Sequence, residues 1–212
     1  MKRWVTWTII GLGIVALVSV GRQLLPPSGK DLRLASIDTE RAVAFRLGKL
    51  IRDSLPGDGE ILVVQLKAGE GGPEAGKQII KALHAGIGRS SSRIVDVSPD
   101  HFSDEQEIAL RAGQRDGAWG GQFLQWVDRG SRPRAIVSFM GLPSDVPAEK
   151  FRALGPIVAV GSTGKFSVNQ WLANRNVFAW VIPRLDFNGV PPRRASLEEL
   201  FNIEFELRLG NR

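Results

Sequence analysis

Gly71, Gly76 and Lys77 stand in the order glycine, four residues, glycine, lysine. A phosphate-binding loop of that spacing wraps backbone N–H groups around a phosphate. Its lysine reaches the terminal phosphate, and the next residue, Ser or Thr, holds magnesium. Here the next residue is Gln78, a poor magnesium ligand. Glu70 and Glu74 would repel an anion held there. Lys67 to Glu70 also separate the glycines from the apolar run Ile61 to Leu66, and no later apolar run ends in a metal-positioning aspartate. The competing reading is a strand-to-helix turn, in which glycine supplies unusual backbone angles and Pro73 opens a helix. Lys67, Gly71 and Gly72 then remain candidates for contacting a small ligand.

A second glycine-rich turn, AVGSTGKFS, follows the apolar run Ile157 to Val160. Gly161, Ser162 and Thr163 offer N–H and hydroxyl donors, with Lys165 beside them. Ser138 closes another apolar run, and Arg184 and Asp186 follow a fifth. All of these lie at the carboxyl ends of expected strands, where open α/β sheets take their ligands. Catalytic and metal constellations are thin. His84 falls on the polar side of an expected helix. His101 has Asp100 and Asp104 nearby, a spacing common by chance. Ser90, Ser91 and Ser92 lack the Gly-x-Ser-x-Gly elbow of a hydrolase. Cysteine is absent, which removes disulfides, thiol catalysis and thiolate metal sites. No catalytic residue, metal or cofactor is assigned.

The elements that would position these residues alternate. Helical spacing runs through Val43, Leu47, Leu50, Ile51 and Leu55, with Asp38 or Thr39 as cap. Strand Ile61 to Leu66 follows, continuous and apolar as in a sheet covered on both faces. Ile79, Ile80, Leu83 and Ile87 mark the next helix, and Gly88 closes it. Strand Arg93 to Val97 precedes a helix around Ile108 and Leu110. QRDGAWGGQ reads as a break before helix through Phe123, Leu124 and Val127. Strands at Ala135 to Met140, Ile157 to Val160 and Val177 to Ile182 follow, with helices at Pro147 to Leu154 and Val168 to Ala173 between them. Ser196 and Glu199 form a capping box, and Ile203, Phe205, Leu207 and Leu209 alternate with charges as an edge strand. The pattern predicts an α/β domain: a doubly wound, mainly parallel five-stranded sheet with helices on both faces and a C-terminal edge strand.

FLQWVDRGSRPRAIVSFMGLP, Phe123 to Pro143, and FRALGPIVAVGS, Phe151 to Ser162, resemble successive helix–strand units of the periplasmic sugar-binding protein family, of the type I periplasmic binding fold. The resemblance spans roughly residues 60–185, about one lobe. It implies a lobe-like fold and a sugar-like ligand, while the second lobe that would complete the family's cleft has no counterpart in the sequence.

Lys2 and Arg3 precede an uncharged run, Trp4 to Val20, with Trp4 and Trp7 at its start. Such a run spans a bilayer at the short end of the roughly 17–25 residues required. Its basic end favours the cytoplasm and its tryptophans the headgroup interface. Residues 1–21 read as a signal anchor, with a cleaved signal peptide as the alternative. Residues 22–36 read as a linker and 37–212 as a single α/β domain. The expected location is a bacterial inner membrane, N-terminus cytoplasmic, domain periplasmic or extracellular. The net charge of +6 is spread without a basic cluster, so nucleic acid is not an expected partner. The sequence thus points to a membrane-tethered, non-enzymatic module binding a sugar-like or anionic small ligand, or a protein. A degenerate nucleotide-binding or hydrolytic enzyme and a purely structural docking module are the alternatives.

Overall fold

The computed structural model describes residues 29–55, 57–65, 72–89, 91–98, 118–128, 132–143, 146, 150–151, 153–160, 172, 177–184 and 195–210. The chain divides into two compact units, 1–34 and 35–212. Its described elements run α1 (Gly29–Ser54), β1 (Glu60–Val64), α2 (Gly72–Ile87), β2 (Arg93–Asp96), α3 (Ala118–Val127), β3 (Ala135–Ser138), β4 (Ile157–Val160), β5 (Val177–Pro183), α4 (Leu197–Glu204) and β6 (Phe205–Leu209).

The strands form one six-stranded sheet in the order β2-β1-β3-β4-β5-β6. Every neighbouring pair among β1 to β5 is parallel. β6 closes the sheet as an antiparallel edge on β5. Alternation along each strand feeds two cores. Ile61, Val63, Ala135, Val137, Val158, Ala179 and Val181 pack with Leu47 and Ile51 of α1, Leu83 of α2 and Phe201 of α4. Leu62, Val64, Ile136, Ile157, Ala159 and Trp180 pack on the other face with Phe123 and Val127 of α3 and with Phe151. Each buried Val, Leu, Ile or Phe side chain among them contributes about 1.5–3 kcal/mol. Helices therefore cover both faces, which is why the central strands read as unbroken apolar runs.

Helix α1 starts at Gly29, so Asp38 and Thr39 lie inside it rather than capping it. Leu, Arg and Ala between Gly29 and Ser36 are good helix formers, and no Pro or Gly interrupts them. Part of the expected linker is thus helical. Thr39 Oγ1 instead donates to Glu204 Oε2 at 2.8 Å. α3 takes in Ala118 to Gly121, residues expected in a break, because burial of Phe123 and Val127 outweighs the weak helix propensity of glycine. α4 runs through Ile203, so the alternation begins only at Phe205. Gly88, with φ of 74°, ends α2 in the left-handed conformation expected of it.

Candidate functional site

The reversal in strand order falls between β1 and β3. Chain direction moves from β1 outward to β2 on one side, then returns to β3 on the other. Connections leaving the carboxyl ends of β1 and β3 must diverge there, which opens the crevice used by doubly wound sheets of this order. Val64 and Ser138 are register partners at that end.

A polar cluster occupies this position, buried at Gln65 and Ser98 and exposed at Asp96. Gln65 follows β1 directly and is 2 % exposed. Its backbone N–H donates to Ser98 Oγ at 2.7 Å. Its side-chain Nε2 donates to Asp96 Oδ2 at 2.9 Å. The other oxygen of Asp96, Oδ1, accepts from the Ser98 backbone N–H at 3.0 Å. These bonds fix the orientation of the Gln65 amide: only its nitrogen can face the carboxylate. Among the described residues its oxygen, Oε1, is left buried with no hydrogen-bond partner. A buried unpaired carbonyl costs about 1–3 kcal/mol and marks a place where a donor is wanted. The sequence reading missed Gln65, Asp96 and Ser98. The available signal was a single amide ending an otherwise apolar strand, with acid and hydroxyl two residues apart after the next.

Ser138 ends β3 at the carboxyl edge of the sheet, in register with Val64 of β1, and is fully buried. Its hydroxyl donates to the Gly141 carbonyl at 2.5 Å and holds the turn after β3. Its proton is therefore spent on the fold. Arg184 follows β5 some strands away, exposed, with Nε donating to the Phe205 carbonyl at 3.1 Å. Its backbone N–H donates to Glu204 O, so Arg184 pins the β5–β6 junction. Gly72 opens α2. Lys67, Gly71, Gly161, Ser162, Thr163, Lys165 and Asp186 lie outside the described residues, as do His101, Asp100 and Asp104.

The nucleotide-loop alternative fails on geometry. Because α2 begins at Gly72, Gly76 and Lys77 sit in its second turn. N–H groups there belong to the helix and cannot wrap a phosphate. Lys77 Nζ pairs with Glu74 at 3.5 Å on the exposed side of α2. The glycine at 76 has another purpose. A Cβ there would lie 3.2 Å from Gln65 Nε2, so Gly76 makes room for the Gln65 amide.

Among the described residues no group of acidic or histidine side chains could hold a metal ion. Among them, too, no helix is long and apolar enough to cross a membrane; Trp4 to Val20 lie outside them. No family model matches the chain, and no curated protein does. Two solved structures are similar to it. One, described as XylFII, has 14 % identity and a TM-score of 0.47 over 81 % of this chain and 61 % of its own. The other, from Mycobacterium smegmatis, has 16 % identity and a TM-score of 0.44 over 70 % of this chain and 47 % of its own. This chain thus spans less than two thirds of either, and at such scores neither likeness assigns it a family or a function.

Proposed function

We propose that residues 37–212 form a non-enzymatic ligand-binding module, built like one lobe of a periplasmic sugar-binding protein. The ligand sits at the β1/β3 switch point. The observation that carries this reading is the unpartnered Gln65 Oε1, buried at the carboxyl end of β1. It calls for a ligand with hydroxyl or amide donors, such as a sugar, rather than a bare anion, which has none to give. The neighbouring Asp96 is a second acceptor and disfavours anions further.

Thermal-shift titration of the full chain with neutral monosaccharides, nucleotides and inorganic phosphate tests it. A sugar-dependent rise in melting temperature that disappears in Gln65→Leu is the expected result. No shift with any sugar, or a shift that survives Gln65→Leu, overturns it. A phosphate or nucleotide response would restore the enzyme reading despite the geometry of α2.

We also propose that Trp4 to Val20 tether the module to a bacterial inner membrane with the domain outside the cytoplasm. The support is the uncharged run and its basic, tryptophan-marked start. Release of the full chain from membranes by alkaline carbonate, or resistance of the domain to protease added to spheroplasts, would count against it.

A further inference from the structure

Among the described residues β6 is one of the two edge strands of the sheet, β2 being the other, and its outer side is complementary to itself. β6 reads Phe205, Glu206, Leu207, Arg208, Leu209, and only one side of it pairs with β5. The hydrogen bonds Arg184 N–H to Glu204 O and Gly210 N–H to Phe178 O set the phase of that ladder. Even-numbered residues of β6 face β5, so Leu207 and Leu209 turn their N–H and C=O groups outward. Phe205 also presents its carbonyl outward, where it accepts from Arg184 Nε and keeps a second lone pair. Its N–H is engaged by Phe201 O.

We propose that β6 pairs antiparallel with β6 of a second copy, about a two-fold axis at Leu207. An axis on Leu207 brings outward-facing groups together in phase. Leu207 exchanges two backbone bonds with its mate, and each Leu209 N–H meets the mate's Phe205 carbonyl. Side chains agree with that register. Glu206 falls opposite Arg208 of the second copy on one face, as a non-hydrogen-bonded pair whose side chains approach most closely. Phe205 falls opposite Leu209 on the other face. Leu209, 55 % exposed, is the one large hydrophobic side chain left open among the described residues, and this contact covers it. In the single chain Arg208 Nε donates to Glu206 at 3.0 Å, an exposed pair that already lies along the edge. Pairing uses up the edge on both copies, so the assembly closes as a dimer rather than growing.

Sedimentation of the full chain in mild detergent across a concentration series tests this. The wild type should show reversible dimers. Glu206→Arg places like charges opposite each other twice, as does Arg208→Glu, and each should weaken association roughly tenfold to hundredfold. The double swap Glu206→Arg with Arg208→Glu should restore it. Because the chain has no cysteine, Leu207→Cys adds a unique thiol, and a short bis-maleimide should then give covalent dimers even if a charge variant folds poorly. A wild type that stays monomeric throughout overturns the proposal. So do single variants that dimerise unchanged, a double swap that remains weak, or Leu207→Cys chains that do not cross-link.

Discussion

Gly76 on α2 faces the carboxamide of Gln65 so closely that a Cβ would stand 3.2 Å from Nε2. The neighbour is a side-chain end that can give by a few tenths of an ångström. At Gly48 and Gly86 the situation differs. There α1 and α2 cross with backbone against backbone. A Cβ on Gly48 would strike the Leu83 carbonyl, and one on Gly86 the Phe45 carbonyl. Helix propensity alone favours alanine over glycine by about 1 kcal/mol at all three positions. Gly76→Ala should therefore leave stability within about 1 kcal/mol of wild type, gain and crowding offsetting each other. Gly48→Ala and Gly86→Ala should each cost about 1–3 kcal/mol or more, since neither helix can move without opening the core. Urea midpoints of the three variants rank them, and a Gly48→Ala chain as stable as wild type would refute the crossing.

Gln65 should behave as a residue kept for binding rather than for stability. Gln65→Leu removes the unpaired Oε1 at similar volume. Asp96 loses one donor but is exposed to water and keeps the Ser98 N–H. The variant should be within about 1 kcal/mol of wild type, while the sugar response proposed above is lost. Gln65→Glu should show the opposite pattern with pH. The new carboxyl, buried and beside Asp96, has its folded-state pKa raised above the unfolded value. Its protonated form can donate to Asp96, so the variant is most stable at acid pH. That stability is lost as pH rises through the raised value. Melting curves between pH 4 and 7, as roughly spaced steps across the carboxylate range, should show the gap to wild type widening upward. A gap that is constant with pH would contradict the arrangement around Asp96.

Arg134 is the main tie at the opposite, amino-terminal edge of the sheet. Its Nε and Nη2 donate to the Leu55 carbonyl at 3.0 and 2.6 Å, and Nη1 donates to Ser92 Oγ at 2.5 Å. One guanidinium thus caps the last turn of α1 and joins it to the start of β2. Its own backbone N–H bonds Glu60 O at the start of β1. Lysine keeps the charge that favours a helix C-terminus but lacks the planar fork. Arg134→Lys should cost about 1–3 kcal/mol and raise amide exchange in the last turn of α1. Unchanged exchange there would show that the cap carries no weight.

Much of this architecture was readable because it follows from local pattern. Four of the parallel strands, β1, β3, β4 and β5, announced themselves as apolar runs, since both faces are covered, and Ile157 to Val160 matched to the residue. The capping box at Ser196 and Glu199 was equally plain. What pattern could not supply was contact between distant segments. Gln65 lies 31 residues from Asp96 and 33 from Ser98 and meets them only because β1 and β2 are neighbours. The glycine at 76 was legible as a glycine but not as the complement of Gln65; spacing alone cast it as part of a phosphate loop. Likewise Ser138 was placed at the right edge, yet the bond to Gly141 that occupies its hydroxyl depends on a turn no periodicity reveals.

The last prediction concerns pH and the α4 cap. Glu199 accepts from the Ser196 backbone N–H and hydroxyl, both at 2.8 Å, and the backbone bond is the larger cause holding its carboxyl below the usual range. A carboxylate lowered in the folded state stabilises the fold at pH above its unfolded value. That contribution disappears as pH falls through the folded value. α4 in turn buries Leu200 and Phe201 against the sheet and delivers the chain into β6. Acidification should therefore loosen α4 and the edge strand before the central strands. Glu199→Gln should be less stable than wild type at neutral pH and equal to it once the carboxyl is protonated in both folded and unfolded chains. Hydrogen exchange of α4 and β6 amides across an acid titration measures this directly. Uniform exchange across the sheet, or a wild-type advantage that persists at the acid end, would remove the cap from any account of stability.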